Sequence, residues 1–243
     1  MKTTNTLATV LLSATFAAPA LAHGGRRFEV QVDDQGQLIA QGVNTGSNDG
    51  APATRPYINA IHGHWTNSAA GTNAFADLPS FDLFAPPPEP EGADLTLTLN
   101  DAYKWVAPPM MPAVGTAPDF EQLGTGETIY LSFATTTLDT DHLGESLALL
   151  DPVPVGGQGH LDVGYEIAMH PDNVIYVLEL TLDTNAPGIS ASEPVYAILI
   201  PEGSALHHAG LFTESYLGTV VPEPGSLGIL AIAGVMIRPR RRR

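Results

Sequence analysis

Short runs in which apolar and polar residues alternate constrain this sequence more than any other feature, because they require a β-rich fold. In DLTLTLND, Leu95, Leu97 and Leu99 alternate with polar residues, and a period of two is that of a half-buried strand. The stretch NVIYVLELTLD has the same pattern, and its apolar face consists of Val174, Tyr176, Leu178, Leu180 and Leu182. The stretches TIYLSFAT and EPVYAILIP predict further strands.

The segments between these strands predict how some of them pair. RFEVQVDDQGQLIAQ predicts an N-terminal hairpin that turns at residues 34–36. The turn-forming HPDN at residues 170–173 predicts a second antiparallel hairpin, between GHLDVGYEIAMH and NVIYVLELTLD. Both hairpins fit an antiparallel β architecture.

Only two stretches have a helical pattern. They are ESLALL at residues 145–150 and GSALHHAGLFTESYL at residues 203–217, where Ser204 is a candidate N-cap. Residues 42–93 and 107–126 are rich in Gly, Pro, Asn and Ala and predict long surface loops. We therefore predict an all-β protein, a single jelly-roll-like β-sandwich with long loops, over residues 23–220.

The first 22 residues have the pattern of a secretory signal peptide. Lys2 precedes the apolar run LATVLLSATFAAPALA, and Ala20 and Ala22 form a small-x-small cleavage site. Cleavage there would make His23 the first residue of the mature chain.

The other end of the chain, residues 221–243, combines three features in a fixed order. Pro222, Glu223 and Pro224 precede an uncharged apolar run at residues 226–237, and a basic cluster follows, formed by Arg238, Arg240, Arg241, Arg242 and Arg243. The apolar run would be about 18 Å long as a helix, whereas a bilayer core of about 30 Å usually needs about 20 residues. The arginines would stay on the cytoplasmic side. These features predict a transient membrane anchor that is held until the chain is cut in front of it.

This order resembles the PEP-CTERM sorting signal of Gram-negative bacteria. The resemblance implies recognition of Pro222, Glu223 and Pro224 by an exosortase, after export through the Sec translocon and transient anchoring in the inner membrane. It also implies that the mature protein reaches the cell surface or the extracellular matrix. The stretches GQGHLDVGYE and HHAGLF resemble exported PEP-CTERM proteins of planctomycetes and cyanobacteria. That resemblance would favour metal handling at His160, His170, His207 and His208, and it implies no enzyme activity.

The net charge of the region between the predicted leader and the C-terminal tail excludes nucleic acid as a partner. Lys2 and the five arginines of the tail are six of the ten basic residues, while the chain has 26 acidic residues. The exported domain is therefore strongly anionic, repels nucleic acid and attracts cations. The chain has no cysteine, so a large hydrophobic core must stabilise it without disulfides, and metal sites with thiolate ligands are excluded.

Histidines are the candidate ligands for such cations. In IHGHW, an extended backbone would put His62 and His64 on one face, and GHLD would do the same for His160 and Asp162. His170 lies in the predicted turn, and His207 and His208 are adjacent. Imidazole and carboxylate ligands suit Zn or Cu. The alternative is that these are solvent-facing polar side chains at strand edges and in loops.

A further copper site would use His23 as the first residue of the mature chain, because its α-amine and imidazole can chelate Cu(II) together with a second histidine. That arrangement resembles the copper sites of lytic polysaccharide monooxygenases and periplasmic copper carriers. We predict a non-catalytic binding or structural protein, with this copper enzyme as one alternative.

A second alternative is a module that binds exopolysaccharide in the matrix. Exposed Tyr103, Trp65 and Trp105 would then stack on sugar rings. The same three aromatic side chains would instead be buried if they pack in the core.

Overall fold

The computed structural model describes residues 26–44, 59–67, 73–77, 79–83, 92–150, 152–153, 159–168, 173–203 and 206–218. The predicted leader, His23, His170, the candidate cap Ser204 and the whole predicted sorting signal, residues 221–243, lie outside them. The predictions made for those parts of the chain stay predictions.

The described residues form fourteen strands and one helix. The strands are β1 (Arg26–Val32), β2 (Leu38–Asn44), β3 (Ala60–Asn67), β4 (Asn73–Ala76), β5 (Ser80–Leu83), β6 (Leu95–Val106), β7 (Glu121–Gln122), β8 (Thr128–Phe133), β9 (Thr136–Asp139), β10 (Ser146–Leu150), β11 (Gly159–Leu161), β12 (Gly164–Ala168), β13 (Val174–Thr184) and β14 (Val195–Pro201). The helix is α1 (His207–Leu217). The prediction of a mostly β protein is confirmed.

The strands belong to two sheets. The smaller sheet has the order β11-β5-β1-β2, and the larger has the order β10-β6-β13-β14-β3-β4-β12-β8-β9, with β7 paired to β6 at one side. The larger sheet curls, so that β9 at one edge contacts β10 at the other. Two neighbouring pairs are parallel, β1 with β5 and β14 with β3.

The main hydrophobic core lies between the two sheets. Phe28 of β1 and Phe81 of β5 stack on each other in the small sheet, with ring centroids 5.2 Å apart. They belong to one buried cluster with the inner face of the large sheet, which includes Leu97 and Leu178. This cluster contains all the apolar residues that the alternating pattern assigned to one face of β6 and β13. Those two predictions of strand faces are confirmed.

A second, smaller core lies on the opposite face of the large sheet, under α1. Val177 of β13, Ile198 and Ile200 of β14 and Leu206 and Ala209 at the start of α1 form its centre. Both faces of the large sheet are therefore covered near β14, which explains why Ile198, Leu199 and Ile200 are all fully buried. An isolated helix of eleven residues is marginal in water, so the packing against the sheet is what stabilises α1.

The N-terminal hairpin is confirmed, with β1 and β2 antiparallel and Gly36 at a φ of +79° in the turn. A Cβ at Gly36 would lie 2.7 Å from the carbonyl oxygen of Gly188, so the turn and the close approach both require glycine. The strands predicted in TIYLSFAT and EPVYAILIP are also present, as β8 and β14.

Four local predictions are wrong. β12 pairs with β4 and β8, whereas β13 pairs with β6 and β14, so the predicted hairpin between β12 and β13 does not form. GHLDVGYEIAMH does not form one strand, because β11 and β12 belong to different sheets. ESLALL forms strand β10 and not a helix, because β6 offers it a partner with an apolar face. The range 42–93, predicted as loop, contains β3, β4 and β5.

Candidate metal centre

Three histidines meet where α1 crosses β3. Along β3, Ile61 and Trp65 point into the main core, so His62 and His64 lie on the opposite face, which α1 covers. His207 is the first residue of α1. One ring nitrogen from each of the three histidines lies within 4.8 Å of the others. The predicted pairing of His62 with His64 in an extended segment is therefore present, and His207 joins it.

The parallel pairing of β14 with β3 explains how a residue so distant in sequence reaches this face. Ile200 near the end of β14 lies opposite His64 in the register. The chain then turns, with the amide of Glu202 donating a hydrogen bond to the carbonyl of Trp65 at 2.9 Å, and α1 begins at His207. The first turn of α1 is thereby held beside the same end of β3.

Glycine at position 210 allows α1 to pack closely on the sheet. A Cβ at Gly210 would lie 3.1 Å from two carbon atoms of Ile200 and 3.8 Å from Cδ2 of His62. The small side chain at Ala209 lies on the same buried face of the helix. This close packing brings the backbone of α1 near enough to β3 for His207 to reach the other two imidazoles.

His62 is the most deeply buried of the three ligands, with only 1% of its surface exposed. Its Nδ1 is hydrogen-bonded to Oε1 of Glu214, and its backbone amide donates to the same oxygen at 2.7 Å. Its Nε2 is buried and makes no hydrogen bond. A buried polar atom without a partner is costly in a folded protein, and a metal ion would be a partner for this one.

The environment of His62 favours the neutral imidazole. Burial lowers the pKa of His62 and outweighs the hydrogen bond and the charge of Glu214, which act in the opposite direction. Arg26, which is itself buried and donates a hydrogen bond to the His62 carbonyl at 2.9 Å, also lowers this pKa. A neutral imidazole is the form that binds a metal.

The arrangement of the rings is compatible with a shared ion. The ring centroid of His62 lies 5.4 Å from that of His64 and 5.3 Å from that of His207. Zn–N bonds of about 2.0–2.1 Å in a tetrahedral site would bring the ligand nitrogens to about 3.3 Å from one another. His64 and His207 are both half-buried, and binding of a shared ion would require their side chains to rotate so that the ligand nitrogens come closer together.

The other predicted pair, His160 and Asp162, lies at β11 of the small sheet, with Asp162 directly after the end of the strand. Nε2 of His160 is 2.8 Å from Oδ1 of Asp162, and Nδ1 contacts Oδ1 of Asp82. Asp82 also forms an ion pair with Arg27 at 2.5 Å. The hydrogen bond to Asp82 raises the pKa of His160. Both ring nitrogens of His160 are bonded to carboxylates, so this histidine belongs to an ion-pair network. It is separate from the histidines of β3, because β3 lies in the large sheet.

His208 is adjacent to the three-histidine cluster but is not a member of it. It is exposed and contacts the ring of His207 at a centroid distance of 5.9 Å. It lines a groove of about 780 Å³ between α1 and the loop around residues 111–117, together with Phe212 and Tyr216. This groove is open and mostly apolar.

The aromatic residues proposed for sugar stacking are not exposed. Trp65 is 2% exposed in the main core and Trp105 is 6% exposed in the core under α1. Tyr103 is partly buried, and its hydroxyl donates to Asp101 at 2.5 Å. The alternative of an exposed stacking surface at Trp65 and Trp105 is therefore wrong, and both side chains instead pack in the two cores, where they supply hydrophobic area.

Glu214 is a residue of the centre that the sequence analysis missed. It lies on the buried face of α1 together with Ala209, Gly210 and Thr213, and only 2% of its surface is exposed. A carboxylate on an otherwise small and apolar helix face is unusual unless it has a partner. That contrast within LHHAGLFTESYL is the signal that could have indicated it.

Comparisons with known proteins identify no family. No family model matches the chain, and no curated protein matches it. Among solved structures, the chain has a likeness to the CooA pilin subunit from enterotoxigenic Escherichia coli, with 8% sequence identity and a TM-score of 0.33. The match covers 63% of this chain and 93% of the pilin chain. At this distance the likeness carries no argument about function.

In the described part of the chain, no helix has the length and apolar character needed to span a membrane.

Proposed function

We propose that this protein binds a divalent transition-metal ion, Zn(II) or Cu(II), through His62, His64 and His207. It does so as a non-catalytic binding protein of the cell surface or extracellular matrix. The chemistry of the ligands supports these metals, because imidazole nitrogen is preferred by zinc and copper over magnesium or calcium. The strong excess of acidic residues would concentrate cations around the protein.

One observation carries the proposal: the Nε2 atom of His62 is buried and unbonded beside two further imidazoles. A solvent-facing histidine could satisfy both ring nitrogens with water, but His62 is almost fully buried. The protein also fixes the other ring nitrogen through Glu214. Metal-binding histidines usually have such a carboxylate behind them.

The test is metal binding by the purified protein and by variants of the two half-buried ligands. His64→Ala and His207→Ala should lose stoichiometric Zn(II) or Cu(II) in elemental analysis and in calorimetric titration. His142→Ala is the matched control, because His142 is exposed and bonded to Asp139 in a turn outside the cluster. Retention of full affinity in both ligand variants would contradict the proposal, and so would an equal loss in the control.

The cellular location of the protein is proposed from the signal-peptide pattern and from the sorting-signal pattern. We expect export by the leader and processing by an exosortase at Pro222, Glu223 and Pro224. Replacing these three residues with alanine should leave the protein in the membrane fraction of a producing cell, whereas the wild type should reach the surface or matrix. Recovery of the wild-type chain in the cytoplasm with both ends intact would contradict this.

The jelly-roll-like form of the β-sandwich also stays a proposal. The core shared by the two sheets supports a sandwich, whereas the two parallel strand pairs are not typical of an antiparallel jelly roll.

A further inference from the structure

Glu214 is a buried carboxylate with an unusual set of hydrogen bonds. Its Oε1 accepts the backbone amide of His62 and contacts the Nδ1 of the same residue. The glutamate comes from α1 and the histidine from β3, so this contact joins the two elements that supply the candidate ligands. Burying a carboxylate is costly unless hydrogen bonds compensate it, and the two contacts with His62 provide such compensation.

The hydrogen bonds determine which nitrogen of His62 carries the proton. Oε1 already accepts from the amide of His62, and an ionised carboxylate can only accept hydrogen bonds. With Glu214 ionised, Nδ1 of His62 is therefore the donor. In a neutral imidazole the other nitrogen, Nε2, then keeps its lone pair. That nitrogen is the buried one without a hydrogen bond.

We propose that Glu214 is a positioning residue of the metal centre, which holds His62 in the Nδ1-protonated tautomer with the Nε2 lone pair directed at the ion. This inference rests on the proposed function. It assigns the ligand atom of His62 and gives a role to a residue that does not itself touch the ion. Arg26 donates a hydrogen bond to the carbonyl of His62 and adds a buried positive charge next to this contact.

A purely structural role for Glu214 is the competing explanation, because the residue also helps to attach α1 to the sheet. Thr213 allows the two roles to be separated. It is the preceding residue on the same helix, it is fully buried, and its hydroxyl donates to the carbonyl of Ala209 at 2.9 Å. Thr213→Ala therefore damages the packing of the same helical turn and leaves the contact of Glu214 with His62 in place.

The first experiment uses the wild-type protein without metal. Long-range ¹H–¹⁵N correlation NMR distinguishes the two imidazole tautomers, and His62→Gln assigns the signals. We expect a protonated Nδ1 and an unprotonated Nε2 at His62. An Nε2-protonated ring would overturn the inference.

The second experiment compares Zn(II) affinity and the visible spectrum of the Co(II)-substituted protein in Glu214→Ala, Glu214→Gln and Thr213→Ala. Loss of an outer carboxylate typically weakens metal binding about 10- to 100-fold, and we expect this in Glu214→Ala with a changed Co(II) spectrum. Glu214→Gln keeps an oxygen acceptor and should recover most of the affinity. Thr213→Ala should lower the unfolding temperature and leave affinity and spectrum unchanged.

The outcomes separate this inference from the proposed function. If His64→Ala and His207→Ala lose the metal but Glu214→Ala behaves like Thr213→Ala, the positioning role is wrong and the metal centre stands. If the histidine variants bind metal as the wild type does, the proposed function is itself wrong. Where Glu214→Ala does not fold, the tautomer measured in the wild-type protein decides.

Discussion

Gly210→Ala is the substitution that tests the packing of α1 against the metal centre most sharply. On an exposed helix this change would stabilise the protein by about 1 kcal/mol through helix propensity. At this position the new Cβ would meet two carbon atoms of Ile200 at 3.1 Å each. Ile200 is fully buried in the second core, so moving it away from the new Cβ would disturb the packing of that core.

The balance of these two effects gives the expected magnitude. Overpacking of a buried site costs about 1–3 kcal/mol, so the variant should be destabilised by about 1 kcal/mol after the gain in propensity is subtracted. For a protein of this size, that corresponds to a decrease of about 2–4 °C in the unfolding temperature. Because α1 must move away from β3, His207 would move with it and Zn(II) affinity should also fall.

Thermal unfolding followed by circular dichroism, with and without Zn(II), measures both effects. Ser215→Ala is the control, since Ser215 lies on the exposed face of the same helix and its hydroxyl donates to the carbonyl of Leu211. The control should gain a little stability and keep its affinity. An increase in the unfolding temperature of Gly210→Ala similar to that of the control would refute the reasoning.

Two further predictions concern the cores and the small sheet. Leu178→Ala in the main core should cost about 2–5 kcal/mol in chemical denaturation, whereas Leu143→Ala at an exposed turn should change stability by less than about 0.5 kcal/mol; equal effects would contradict the assignment of the core. His160 has its pKa raised by Asp82, so its stabilising contribution is complete below the unfolded-state pKa of about 6.5 and is lost as the pH rises through the folded-state pKa. The histidine is half-exposed, so the effect is small, and a denaturation midpoint with the same pH dependence in His160→Asn as in the wild type would contradict it.

The faces of individual strands could be predicted from sequence, but most strand pairing could not. Alternation reports which side of a strand is buried, and it identified the inner faces of β6 and β13 correctly. It does not report the neighbour. The turn-forming residues before β13 indicated β12 as its partner, but β6 and β14 take both sides of β13. A long apolar strand buries more apolar surface when it pairs in the middle of a sheet than when it lies at the edge in a hairpin.

The candidate site was predicted only in part, because local sequence patterns do not report which distant segments become neighbours. The two-residue spacing of His62 and His64 requires only that β3 be extended, which is local information. His207 joins them through the parallel pairing of β14 with β3, which is a long-range contact that no local pattern contains. The contact of Glu214 with His62 depends on the same pairing.

A crystal structure of the Zn(II)-loaded protein, with data collected at the zinc absorption edge, tests the central claim most directly. We predict one anomalous peak at the junction of β3 and α1, about 2.0–2.1 Å from a nitrogen of each of His62, His64 and His207, with Nε2 as the ligand atom of His62. A peak at His160 and Asp162 instead, or no ordered zinc at the three histidines, would contradict the account.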